Sequence, residues 1–253
     1  MRWQEALVAT VVAALAGVVS AEVTDTFDGS EWSDQQVLQG SNGWEHCCGA
    51  TANNFVQDGI GFLGTRGVDK GLNDIDTYLF VKALQTPISS GTYVAKAMIN
   101  VASATRADAG VGAYIDIDNN IRAIVHNDFD TVLVTRVGGV QSEFQGGGGL
   151  GGLGWFELQV VYDLDSDSAS ASALDVDDNT GAIIGSVIDL GTFAGSPNFD
   201  VTHFIGQAGN ASRPGTGNSG IIDNIGLGRI PEPASLALLA LGGLTFLRRR
   251  RAA

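Results

Sequence analysis

Apolar and polar residues alternate with a period of two along most of this chain. Between 92 and 103, Tyr93, Ala95, Ala97, Ile99 and Val101 share one face. Between 111 and 118, Val111, Ala113, Ile115 and Ile117 point one way, and Tyr114, Asp116 and Asp118 the other. Asn119-Asn120 reads as a turn, after which Ile121, Ala123 and Val125 resume opposite Arg122 and His126. Between 155 and 164, Phe156, Leu158, Val160 and Tyr162 fall on the inner side. Successive side chains of a strand point to opposite faces, so this period predicts half-buried strands. Further strands are expected over 23–27, 59–63, 78–84, 131–137, 168–176, 182–190, 204–207 and 220–227. About a dozen short strands, with turn signals roughly every 10 residues, predict an all-β antiparallel sandwich or barrel. No stretch of the body carries the period of an amphipathic helix.

Both ends break the alternation. Residues 1–21 combine Arg2, an apolar run over 6–19 and the small residues Ser20 and Ala21, which reads as a secretory signal helix cut after Ala21. Residues 230–253 begin with Pro231, Glu232 and Pro233, continue with an apolar run over 234–247, and then place Arg248, Arg249, Arg250 and Arg251. The run amounts to about 21 Å of helix, short of a hydrocarbon core of about 30 Å. The arginines stop translocation and stay on the cytoplasmic side. The three organised segments are therefore 1–21, a body over 22–229, and 230–253.

The order Pro-Glu-Pro, apolar helix, arginine cluster resembles the PEP-CTERM sorting signal of bacteria that make extracellular polysaccharide. The resemblance implies recognition by an exosortase, a membrane cysteine protease, and a cut near Pro231–Pro233. It makes signal peptidase and an exosortase the expected partners. The expected location is the cell envelope or the medium, after a transient stay in the inner membrane.

Charge sharpens the picture of the body. The whole chain carries a net −14, but the ends hide part of that. Removing Arg2 and the four tail arginines from 14 basic residues leaves 9, and removing Glu5 and Glu232 from 28 acidic ones leaves 26. The body is thus near −17. Such a surface repels nucleic acid and anionic lipid, so neither is an expected partner, and membrane contact is expected through the tail alone. Thirty-five glycines suit turns. Two adjacent cysteines, Cys47 and Cys48, are no disulfide framework. Gly146–Gly154, with seven glycines, precedes a strand rather than a helix, so it is a loop and no phosphate cradle.

The body also resembles the concanavalin A-like lectin and glucanase sandwich, a jelly roll. Thr26-Phe27-Asp28 is similar to the opening strand of exported members, as is Gly43-Trp44 to the segment that follows. Residues 155–163 resemble the central strand and turn, and Ile222-Asp223-Asn224-Ile225 the closing strand. In glucanases of this family, acidic residues alternate along one strand. Asp116 and Asp118 are the nearest analogue here, but no Glu flanks them, and a solvated strand face is the favoured reading.

Other candidate chemistry is thin. Asp163-Leu164-Asp165-Ser166-Asp167 starts like a calcium loop but has Ser168 and Leu174 where Gly and Glu are needed, so it reads as an Asp-rich turn. Asp175, Asp177, Asp178 and Asn179 read as a second. A structural calcium is expected, if anywhere, between Asp28 and Asp223, where first and last strands meet. Cys47 and Cys48 beside Trp44 form either a vicinal disulfide, which would make a stiff platform for a sugar ring, or two free thiols. Trp44, Trp155 and Trp32 are the residues to test for sugar stacking, with core packing the competing role. The expected function is a non-catalytic module binding carbohydrate or exopolysaccharide. The alternatives are a glycoside hydrolase or lyase of this fold, and a purely structural envelope protein.

Overall fold

A computed structural model describes residues 20–47, 54–69, 77–101, 107–116, 119–125, 131–137, 140–145, 154–194, 200–210 and 220–230. In chain order the strands are β1 (Ser20–Asp25), β2 (Gln36–Val37), β3 (Trp44–His46), β4 (Phe55–Gln57), β5 (Gly67–Asp69), β6 (Thr77–Ile88), β7 (Thr92–Val101) and β8 (Ala107–Asp116). They continue as β9 (Asn119–Val125), β10 (Thr131–Val137), β11 (Val140–Gln145), β12 (Trp155–Asp163), β13 (Ser168–Asp175), β14 (Ile188–Ala194), β15 (Val201–Asn210) and β16 (Gly220–Arg229). The helical content of the described residues is one short 3-10 turn, Phe62–Gly64.

The strands form two antiparallel sheets. Nine strands run in the order β14-β13-β12-β7-β16-β5-β4-β2, with β1 also paired to β16. Seven run in the order β11-β10-β9-β8-β15-β6-β3. Each sheet has one apolar face, and stacking the two faces removes both from water. Phe156, Leu158, Val160 and Tyr162 of β12 are buried together with Ile99, Ile121, Phe80, Phe204 and Leu227. The Tyr162 hydroxyl donates to the Ile121 carbonyl at 2.8 Å, a polar tie between the sheets inside the core. The all-β sandwich expected from the alternation is present.

Three local readings are corrected. Residues 59–63 are no strand: Gly59 and Gly64 have positive φ and Leu63 sits at φ 57, so the chain coils into the 3-10 turn. Over 182–190, Gly185 at φ 81 interrupts pairing, leaving an isolated bridge between Val176 and Ile183 before β14 begins at Ile188. Asn119 and Asn120 belong to β9 rather than to a turn. Ser20 and Ala21, the end of the expected signal segment, belong to β1; residues 1–19 and 231–253, with the rest of both expected helices, lie outside the described residues, as do Cys48 and Asp118.

Candidate functional site

β1 ends in Asp25, whose carboxylate is almost wholly buried and organises the tryptophans nearby. Oδ1 accepts from the Phe27 N–H at 3.0 Å and from Trp32 Nε1 at 3.2 Å. Oδ2 accepts from Trp44 Nε1 at 3.0 Å and faces Lys82 Nζ at 3.4 Å. The Lys82 ammonium also lies 5.2 Å from the Trp44 ring centroid. Phe27 packs edge-on against Trp32, and Trp44 against Phe80 and Phe204. Trp32 and Trp44 are 3% and 0% exposed, which leaves neither ring a face for a sugar. Trp155 does point away from Phe156, onto the outer face of the nine-stranded sheet. There it is covered by Phe62, Met98 and Val176 and is 7% exposed. Packing, not stacking on a ligand, is the role the structure gives all three.

Asp28 and Asp223 are brought to one place, the turn around Phe62–Gly64. Asp28 Oδ1 accepts from the Arg66 N–H at 3.0 Å. Asp223 Oδ2 accepts from the Phe62 N–H and from Thr65 Oγ1, each at 3.0 Å, and Oδ1 from the Asn224 N–H at 2.7 Å. Asp223 is fully buried, and its carboxyl pKa is pushed up to about 6. Desolvation is the main cause; the hydrogen bonds pull it back, and Asp28 adds like-charge repulsion. The Arg66 guanidinium beside them is held by Asp58 and the carbonyls of Gly29 and Trp32. A calcium site needs six to eight oxygen ligands. Here the neighbours of the carboxylates are N–H and O–H donors, and among the described residues no group of three or more His, Cys, Asp or Glu is arranged to hold a metal ion. The pair fits a turn clamp better than a cation.

The Asp-rich turns are likewise explained by their own backbones. Asp163 Oδ1 accepts from the N–H groups of Asp165 and Ser166. Asp177 Oδ1 accepts from Asn179, Thr180 and the Thr180 hydroxyl, and these bonds hold its carboxyl below the usual range. Cys47 is disulfide-bonded and 1% exposed, packed with Val81 and Ile205. Trp44, three residues earlier, faces the opposite side of the sheet, so the two do not build a common platform.

Cross-strand register assembles a different set of residues. By backbone register, His203 of β15 lies opposite Tyr114 of β8, Tyr114 opposite Asn120 of β9, and Asn120 opposite Arg136 of β10. Strands are about 4.8 Å apart, so this polar row spans about 14 Å. The adjacent row reads Glu45, Val81, Ile205, Gly112, Arg122 and Val134. A Cβ at Gly112 would lie 2.2 Å from the Ile121 carbonyl oxygen, so the backbone of β9 approaches here too closely for any side chain. His203 is half-buried, and burial lowers its pKa against the opposing pull of Glu45, so the ring is neutral at pH 7. A neutral imidazole both donates and accepts, as a sugar hydroxyl does. Asp116 follows in β8, opposite Asn119 after a register shift. Its expected partner Asp118 lies outside the described residues.

The carboxy end decides where the protein goes: residues 229–251 match a PEP-CTERM protein-sorting motif. The chain carries a PEP-CTERM sorting motif, the mark of an exported protein. The motif places it in the cell envelope or the extracellular space. No curated protein matches the chain in sequence. In three dimensions it is similar to the exoplasmic/lumenal domain of VIP36 in its Ca2+- and Man-bound form, at 9% identity and TM-score 0.53, covering 85% of this chain and 93% of that one. The binding domain of botulinum neurotoxin serotype D is similar at 9% identity and TM-score 0.50, over 91% of this chain and 53% of that one. A carbohydrate-binding module, CBM66 from Bacillus subtilis, gives 10% identity and TM-score 0.45, over 74% and 95%. Likeness at such identity speaks for a lectin-type sandwich fold.

Proposed function

We propose that this PEP-CTERM protein is a non-catalytic, carbohydrate-binding module of the extracellular matrix. Signal peptidase cuts it after Ala21, an exosortase cuts it near Pro231–Pro233, and the carboxy-terminal helix holds it in the inner membrane between the two events. The observation that carries the binding reading is the register row His203, Tyr114, Asn120 and Arg136 across β15, β8, β9 and β10. All four are hydrogen-bonding residue types, set at strand spacing. The lectin-type neighbours and the sorting tail support the same reading.

Pull-down and calorimetry with purified exopolysaccharides test it. The wild-type body is expected to bind. The double substitution His203→Ala with Asn120→Ala removes about two hydrogen bonds of roughly 1 kcal/mol each, which weakens binding at least about tenfold. Circular dichroism of the variant should be unchanged. Absence of binding to every matrix polysaccharide would refute the module. Release of new reducing ends in the same assay would replace it with the hydrolase reading.

A further inference from the structure

The two processed ends meet on one strand pair. β1 runs antiparallel along β16, with Ser20 opposite Arg229 and Ala21 opposite Gly228; pairing then skips Glu22 and resumes at Val23 opposite Leu227. On its other edge β16 stays paired to β7 as far as Arg229 opposite Tyr93, and the Ile230 N–H donates to the Thr92 carbonyl at 2.8 Å. Pro231 comes next. The sorting motif, which starts at residue 229, is therefore joined to the folded sheet with no spacer.

A signal cut after Ala21 falls inside β1 and removes Ser20 and Ala21. Among the described residues no other strand lies along that part of β16, since β5 meets it at Ile222, nearer the other end. The backbone groups of β16 facing Ser20 and Ala21 lose their partners in the cut protein. A bare strand edge is a template for another chain, and extended peptides are bound by pairing with such edges. Gly228 carries no side chain, so a second backbone can come close to this edge.

We propose that removal of the signal segment uncovers the β16 edge at Gly228 and Arg229, and that the sorting protease pairs with this edge as an added strand. Amino-terminal cleavage then comes first and licenses carboxy-terminal cleavage. Each cut breaks one peptide bond, with water supplying the new carboxyl's hydroxyl and the new amine's proton. The proposal rests on the export and sorting reading above.

The experiment follows both cuts by pulse-chase and mass spectrometry of the full chain in a host that has signal peptidase and an exosortase. In the decisive variant, residues 1–19 are replaced by a signal cut just before Ser20, so that Ser20 and Ala21 stay on the processed body. Tail cleavage is expected to slow at least about fivefold, because the protease must displace about two backbone hydrogen bonds. A second variant keeps its signal uncut through Ala21→Tyr and should be slowed similarly. Tail cleavage at the wild-type rate in the Ser20-retaining variant overturns the edge mechanism even if Ala21→Tyr is slow, since tethering alone would explain the latter. A wild-type tail that is never cut overturns the sorting reading, and the proposal with it.

Discussion

Asp25→Ala is expected to destabilise the body by about 3–5 kcal/mol, the range for breaking a buried ion pair from one side. The residue removed is a carboxylate with four partners. Its loss strands the Trp32 and Trp44 indole N–H groups in the core and leaves the Lys82 ammonium without its counter-charge. It also frees the Phe27 N–H, which Asp25 holds while Phe27 takes φ 58, an uncommon conformation for a bulky residue. Asp25→Asn keeps one acceptor oxygen but turns a donor toward another N–H, so about half the loss is expected. Chemical denaturation gives the magnitude. Tryptophan emission gives the mechanism, because a loosened Trp32–Trp44 cluster admits water and shifts emission to the red. A loss below about 1 kcal/mol with unchanged emission would show that the two indoles are held by packing alone.

This hub illustrates what could be read from the sequence and what could not. Strands such as 92–101 and 155–163 were legible because burial on one face writes a period of two into the chain. Phe156, Leu158, Val160 and Tyr162 lie inside as that period requires. The short strands β2 to β5 were not legible, since two or three residues hold less than two full periods. Trp32 and Trp44 sit among Ser, Gly and Asp, a context that fits either an exposed ring or core packing. The structure buries them around a carboxylate that finds its partners 7, 19 and 57 residues away, a hub that no local pattern encodes. The polar row on the seven-stranded sheet was hidden for a related reason. His203, Tyr114, Asn120 and Arg136 fall into one register row across four separate strands, and no local pattern encodes register. Asp28 and Asp223 both lie at the Phe62–Gly64 turn, whose backbone and hydroxyl donors occupy the Asp223 carboxylate; those contacts come from segments far apart in sequence, which no local pattern encodes.

Asp223 makes the second large effect, and it depends on pH. Its carboxyl titrates near 3.8 when unfolded and at about 6 in the folded protein. Between these values the unfolded chain has released a proton that the native state still holds, so for this group stability falls as pH rises. The gap, at about 1.4 kcal/mol per pH unit, amounts to about 3 kcal/mol, complete above about pH 6 and absent below about pH 4. Asp223→Asn does not titrate. Its absolute stability is lower, because an amide N–H₂ is turned toward the Phe62, Thr65 or Asn224 donors. The readout is the difference in unfolding free energy between wild type and variant, measured by denaturant titration from about pH 3 to about pH 7. That difference is expected to fall by about 3 kcal/mol across the range. Calcium provides an independent arm. A cation bound between Asp28 and Asp223 would favour the ionised carboxylate and flatten the wild-type slope. Because the contacts to Asp223 come from N–H and O–H donors, millimolar calcium is expected to leave the slope in place. Parallel wild-type and variant curves without calcium would mean that Asp223 is ionised as readily inside the fold as outside it, and that the turn around Phe62 stabilises charge rather than tolerating it.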